Sequence, residues 1–209
     1  MTLALGVLAS GRGSNFQAVL DAVQNGTLDA TVKVVVSNKA SAMALERGRA
    51  RQIPAIFIDP KSFAESQNPR EAYDPAVGKV LQEHGVEAVV LAGYMRIVTP
   101  VLIRQFPWKI FNIHPSILPS FPGLHAQRQA LEWGAKVSGC TVHFVTEGVD
   151  EGPVIIQMVV PVLDGDTEET LSSRILEKEH EALPKALQWF AKGRLVRDGR
   201  RVSVISSGD

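Results

Sequence analysis

The run Leu3 to Ala9, followed at once by the glycine-bearing turn Ser10 to Asn15 and an amphipathic stretch, narrows the possible folds more than any other feature. The run is too short for a buried helix, and it is apolar on both faces of a strand. Asn15 to Asn25 carries Phe16, Val19, Leu20 and Val23 at helical spacing, with Gly26 where a helix would stop. The alternation then recurs. Val32 to Val36 and Ala55 to Ile58 repeat the buried-strand pattern around a helix predicted over Ala42 to Gln52, which ends before Pro54. A further helix is predicted from Arg70 to His84, stopped by Gly85, and Ala88 to Ala92 and Phe111 to Ile113 are further strand runs. Strands and helices in this order favour a parallel sheet covered on both faces.

After about residue 136 the texture changes. Cys140 to Val145 and Pro153 to Val162 are strand-like and joined by the turn-rich TEGVDEG, which leaves no room for a crossover helix, so they should pair antiparallel. Thr167 to Lys192 reads as a helix with Pro184 as a candidate kink, and Asp198-Gly199 marks a candidate hairpin. The expected fold is therefore α/β, doubly wound and Rossmann-like, with a mixed sheet that is parallel in the amino-terminal half and antiparallel in the later strands. No repeat or linker is visible, so residues 1–209 are expected to form a single domain.

At 209 residues a chain can bury roughly 70% of its unfolded surface, enough for a core without disulfides. Cys140 is the single cysteine and reads as a small buried hydrophobe. Lys and Arg total 22 against 22 Asp and Glu, so no overall field would hold a nucleic acid or an anionic membrane. No run reaches the ~18 apolar residues of a membrane span, and the start lacks a charged leader. These features predict a cytoplasmic protein with small-molecule ligands. His125, His143 and His180 lack metal-ligand spacing, so no metal is expected, and Trp108, Trp133 and Trp189 read as packing residues.

SGRGSN, Ser10 to Asn15, lies between a strand and a helix, where backbone N–H groups and the positive end of the helix converge. It reads either as a tight turn with a capping Ser or as an anion cradle. A dinucleotide loop would need glycine where Phe16 stands, and the Gly-Lys-Ser/Thr of an ATP loop is missing. Asn112 and His114 are two apart on an extended stretch, so both side chains leave one side of the strand. An amide donor beside an imidazole suits oxyanion stabilisation and proton transfer, although a strand-end His can equally satisfy a backbone carbonyl. Pro115, Pro119, Pro122 and Gly123 shape the adjoining loop. Asp150, in the turn between two strands, is a candidate carboxylate to orient the ring and raise its pKa.

SGRGSN, SNKA, PREAYD, LAGYMRI, FNIHPSILPSFPGLHAQRQAL, HFVTEGVDEGPVIIQ and KEHEALP together resemble the phosphoribosylglycinamide formyltransferases over nearly the whole chain. The resemblance implies the formyltransferase fold. It also implies transfer of formyl from 10-formyltetrahydrofolate, a cosubstrate, to the amine of glycinamide ribonucleotide in purine synthesis, without a metal. By the same resemblance Asn112, His114 and Asp150 are catalytic. Gly11, Arg12, Gly13, Ser14 and Asn15 hold the substrate phosphate, Arg12 standing where some relatives carry a neutral residue, and Glu179 contacts the ribose. Arg70, Met95, Arg96, Ile97, Val98 and Asn112, with Val145, Thr146, Glu147, Gly148, Val149 and Asp150, form the folate side. Without the resemblance, Met95, Ile97 and Val98 read as core packing and Arg70 as a helix-start surface charge. A methionyl-tRNA formyltransferase or a formyl-folate hydrolase would share the Asn-His-Asp chemistry, but each carries a further domain for which this length leaves no space. A non-catalytic nucleotide-binding module is the rival of another class. The partners expected are the two small substrates, with no nucleic acid or membrane, and the protein is expected to be a monomer or homodimer.

Overall fold

The computed structural model describes residues 2–206. The apolar runs become β1 (Leu3–Leu8), β2 (Ala30–Ser37), β3 (Ala55–Phe57), β4 (Ala88–Leu91) and β5 (Ile110–His114), all paired in parallel. The expected change of direction follows: β6 (Val137–Phe144) pairs antiparallel with β5, and β7 (Val154–Pro161) antiparallel with β6. The sheet order is β3-β2-β1-β4-β5-β6-β7. The chain winds outward from β1 on one side and returns to β4 on the other, so the strand order reverses between β1 and β4, and ligands of open α/β sheets bind beyond the carboxyl ends at such a reversal.

The helices are α1 (Ser14–Gln24), α2 (Met43–Ala50), α3 (Pro69–Glu83), α4 (Pro100–Gln105), α5 (Ala126–Glu132) and α6 (Glu168–Ala191). They cover two apolar clusters on opposite faces of the sheet. Phe16, Leu45, Ile175 and Leu187 belong to one, Tyr73, Leu81 and Leu102 to the other. Strand alternation sorts the neighbours: Phe111 of β5 joins the first cluster and Ile110 the second. The short α4 and α5 were not expected; α4 buries only Leu102, too little for a helical period to show. Pro184 lies inside α6 without ending it, and Thr167 caps that helix through reciprocal bonds with Thr170. The expected hairpin is β8 (Leu195–Asp198) with β9 (Arg201–Val204). Trp189 packs against the core and Trp108, though 42% exposed, packs edge to face on Phe144, but Trp133 is exposed, contrary to the packing role expected of it. Among the described residues no helix is long and apolar enough to cross a membrane.

Gly13 is among the glycines fixed by their surroundings. Gly13 caps α1 with φ 68°, and a Cβ there would lie 2.8 Å from the Cβ of Ala44 and 3.0 Å from its Cα. The Ala44 N–H donates to the Gly11 carbonyl at 3.2 Å, so the first turn of α2 is tied against this loop. Gly13→Ala should therefore cost about 2 kcal/mol or more, from left-handed strain and from overlap. In urea unfolding this appears as a midpoint lowered by about 1 M; an unchanged midpoint would show that the loop has another path.

Candidate active site

β5 and β6 together present two chemically different faces. Phe111, Ile113, Cys140, Val142 and Phe144 point into the first core cluster, beneath α6. By alternation Asn112, His114, Thr141 and His143 point the other way, and the antiparallel register sets His143 opposite Asn112 and Thr141 opposite His114. The β6–β7 loop folds over this polar face and delivers Asp150, whose φ of 55° is left-handed. Asp150 Oδ2 lies 3.3 Å from His114 Nδ1 and accepts the Gly123 N–H at 2.8 Å. Its Oδ1 accepts from Asn112 Nδ2 at 3.3 Å and lies 3.7 Å from His143 Nε2. The distant aspartate is thus brought to both strand residues.

His114 is 4% exposed and its Nε2 meets the Phe121 carbonyl at 2.8 Å. Both ring nitrogens face oxygen acceptors, the arrangement that a doubly protonated imidazolium satisfies. Burial nevertheless outweighs these partners. It lowers the His114 pKa below the ordinary value, while the Phe121 carbonyl and Asp150 raise it and His143 lowers it. The expectation that Asp150 raises the ring's pKa thus holds for its own contribution and not for the balance: the proton is held weakly because water is excluded. For Asp150 burial raises the pKa, but the nearby His143 ring, the Gly123 N–H and the His114 ring hold the carboxyl below its usual range.

His143 also belongs to the site, where its residue pattern alone left open packing, a hydrogen bond or a place near the pocket. Its Nδ1 lies 2.9 Å from the Phe144 carbonyl, which makes Nδ1 the donor and leaves Nε2 to accept from Asn112 Nδ2 at 3.2 Å. The available signal was alternation: Thr141 and His143 are the polar positions of the otherwise apolar run Cys140 to Val145. Phe121 and Gly123 act through backbone groups, which side-chain reasoning does not register. Behind them, Thr141 Oγ1 donates to the Ser116 carbonyl at 2.7 Å and accepts the Leu118 N–H at 3.1 Å, pinning the proline loop to β6.

A cavity of about 680 Å³ opens on this cluster, within the usual range for small-molecule sites. Arg70, Met95, Arg96, Ile97, Val98, Asn112, Val145, Thr146, Glu147, Gly148, Val149 and Asp150 all line it. Met95 is 61% and Ile97 47% exposed, so these two are not core residues, whereas Val98 is buried in the second core cluster. The Arg96 guanidinium lies 4.1 Å from the centre of the Tyr73 ring and is engaged there.

The α1 loop lies outside this cavity. Ser10 joins the two regions: its hydroxyl donates to Asn38 Oδ1 at 2.6 Å and accepts the Met95 N–H at 2.8 Å. Gly11 and Arg12 are exposed, and the Arg12 carbonyl accepts from Arg47 Nε at 2.9 Å. Asn15 donates one amide hydrogen to Glu179 Oε2 at 2.7 Å, which ties its side chain to α6. Glu179 is 7% exposed and burial pushes its pKa up to about 7, with Asn15 opposing. A larger hollow of about 820 Å³ lies between α1 and α6 and includes none of Asn112, His114 or Asp150. Among the described residues no group of three or more His, Cys, Asp or Glu is placed to hold a metal.

A formyl transferase family model matches residues 4–187. The phosphoribosylglycinamide formyltransferase of Escherichia coli (strain K12) is 44% identical over 189 residues, covering 90% of this chain and 87% of that protein. A trifunctional purine biosynthetic protein adenosine-3 of Drosophila pseudoobscura pseudoobscura is 47% identical over 201 residues; these are 95% of this chain but only 14% of that much longer protein. The crystal structure of glycinamide ribonucleotide transformylase 1 from Symbiobacterium toebii superimposes with a TM-score of 0.95 at 52% identity, covering 98% of this chain and 95% of that one.

The raised pKa of Glu179 has a measurable sign. Between the ordinary 4.5 and about 7 the folded chain keeps a proton there that the unfolded chain releases, so stability falls as pH rises through that window. Glu179→Gln should remove this slope and gain up to about 3 kcal/mol relative to wild type at pH 8. Urea unfolding of both proteins at pH 5 and pH 8 checks it; parallel pH profiles would place the carboxyl in water.

Proposed function

This chain belongs to the formyl transferase family, and we propose that it moves the formyl group of 10-formyltetrahydrofolate to the amine of glycinamide ribonucleotide. The products are formylglycinamide ribonucleotide and tetrahydrofolate, in purine biosynthesis. The observation that carries this reading is the convergence of Asn112, His114 and Asp150, with separations of 3.3 Å, at the wall of a cavity large enough for a folate.

The amine nitrogen attacks the formyl carbon, and negative charge grows on the formyl oxygen. Asn112 serves that charge with an N–H. Its two amide hydrogens rest on Asp150 at 3.3 Å and His143 at 3.2 Å, and contacts this long exchange readily for a growing oxyanion. The bond from carbon to the folate nitrogen then breaks as that nitrogen gains a proton. His114 is the acid, directly or through a water held by Asp150, and its lowered pKa makes the proton easier to give. The attacking nitrogen loses a proton, which restores the ring. On the acceptor side the backbone of Gly11 to Ser14, at the positive end of α1, supports a phosphate with Arg12 alongside, and Glu179 reaches the ribose while holding Asn15. Met95 and Ile97 offer exposed apolar surface to the folate, with Arg70 at the rim. We further propose a single catalytic domain over residues 1–209, working in the cytoplasm as a monomer or homodimer, with the two small substrates and neither nucleic acid nor membrane as partners.

The direct test supplies 10-formyltetrahydrofolate with glycinamide ribonucleotide and, separately, with water alone. Formyl acceptance by the amine supports the proposal, whereas formate release without it would make the protein a hydrolase. Asn112→Ala should lower kcat by about two to three orders of magnitude, the usual loss for one oxyanion donor. Asp150→Asn removes a group that raises the His114 pKa, so the limb of the pH–rate profile that needs the protonated ring should move to lower pH. A limb that stays in place would mean that another group supplies the proton.

A further inference from the structure

The β8–β9 hairpin lies beyond the span that the family model covers, and the chemistry above does not use it. It is nevertheless fastened to the loop that carries Asp150. At the turn of the hairpin, Arg200 donates from a guanidinium nitrogen to the Glu151 carbonyl at 2.8 Å, one peptide after Asp150. On β8, the Arg197 guanidinium stacks 3.8 Å from the centre of the Trp108 ring. That ring meets Phe144 edge to face at 6.3 Å, and Phe144 is the last residue of β6 before the loop. The hairpin is itself anchored: Leu195 and Val202 pack against the first core cluster, and Arg194 Nε donates to the Ile205 carbonyl at 2.7 Å across its base.

The need for such an anchor follows from the loop. Among the described residues, only the Asp150 side chain and Arg200 tie the stretch 146–152 by hydrogen bonds to another element. Asp150 holds a left-handed backbone that a non-glycine residue adopts reluctantly. Without Arg200 the aspartate would have to position the ring of His114 and also hold its own loop in place. We infer that the carboxyl-terminal hairpin is a brace for the active site and that Arg200, through the Glu151 carbonyl, is a positioning residue for Asp150.

This inference builds on the proposed function for its kinetic readout, but not for its structural one. In hydrogen exchange of the full chain, Arg200→Ala should speed exchange of the amides of residues 146–152 by about tenfold and leave the core strands unchanged. In the formyl-transfer assay the same variant should lose about tenfold in kcat, as for a slightly misplaced catalytic group, with the ribonucleotide KM changed less than about twofold. Its imidazolium limb should move to lower pH as Asp150 loosens, and Arg200→Lys, which keeps a donor, should recover part of each effect. Arg201→Ala, which removes an equal charge next door, should behave as wild type. The brace is refuted if exchange and kcat of Arg200→Ala match those of Arg201→Ala, or if kcat falls only in proportion to a lowered urea midpoint. If the wild-type chain transfers no formyl group, the proposed function falls, and exchange in residues 146–152 still decides the brace.

Discussion

The carboxylate of Asp150 has a side chain only 10% exposed, and an anion so far from water costs several kcal/mol unless protein groups replace its hydration. The replacements come from separate parts of the chain: the Asn112 amide and the His114 ring from β5, and the Gly123 N–H from the proline loop. The anion is satisfied only when all of them have arrived. The electrostatics of the site and the assembly of this end of the sheet are therefore one problem, and the same burial that makes Asp150 demanding also weakens the hold of His114 on its proton.

The sheet solves that problem through its change of strand direction. Parallel β1 to β5 bring Leu8, Leu91 and Asn112 to one level at the reversal of strand order. Had the chain continued in parallel, the next return would have required a long crossover and would have left the polar face of β5 without a neighbour of this kind. Turning antiparallel sets His143 beside Asn112 and lets a short loop fold straight back over both. The two faces of β5 and β6 divide the work. One is apolar and closes the core under α6, and the other carries Asn112 and His114 and receives Asp150 from the loop.

Much of this was legible in the residues, for identifiable reasons. Buried strands such as Leu3–Leu8 and long amphipathic helices such as α6 declare themselves through period and length, and the pair Asn112 and His114 through spacing. The convergence of Asp150 on that pair was not legible, because it depends on how a loop folds over a sheet and no local pattern encodes that path. Resemblance supplied it as an expectation, and geometry now places the carboxylate there. One His on an apolar strand reads as packed or hydrogen-bonded as readily as near a pocket, and only the register that puts His143 against Asn112 decides for the site. The sign of the His114 shift was missed for another reason: sequence displays the charged partner but not the depth of burial. Asn15 shows the converse, since a polar residue in an anion loop proved to be tied through one amide hydrogen to Glu179, far away in the chain.

The groups that hold His114 and Asp150 from the proline loop, the Phe121 carbonyl and the Gly123 N–H, both belong to the main chain. Every amino acid carries a carbonyl and all but proline an N–H, so these contacts are written in the route of the loop and not in the identity of its side chains. Identity enters through that route: Gly123 has a φ of 78°, which favours glycine, so a register slip of one residue would displace the glycine and both contacts at once.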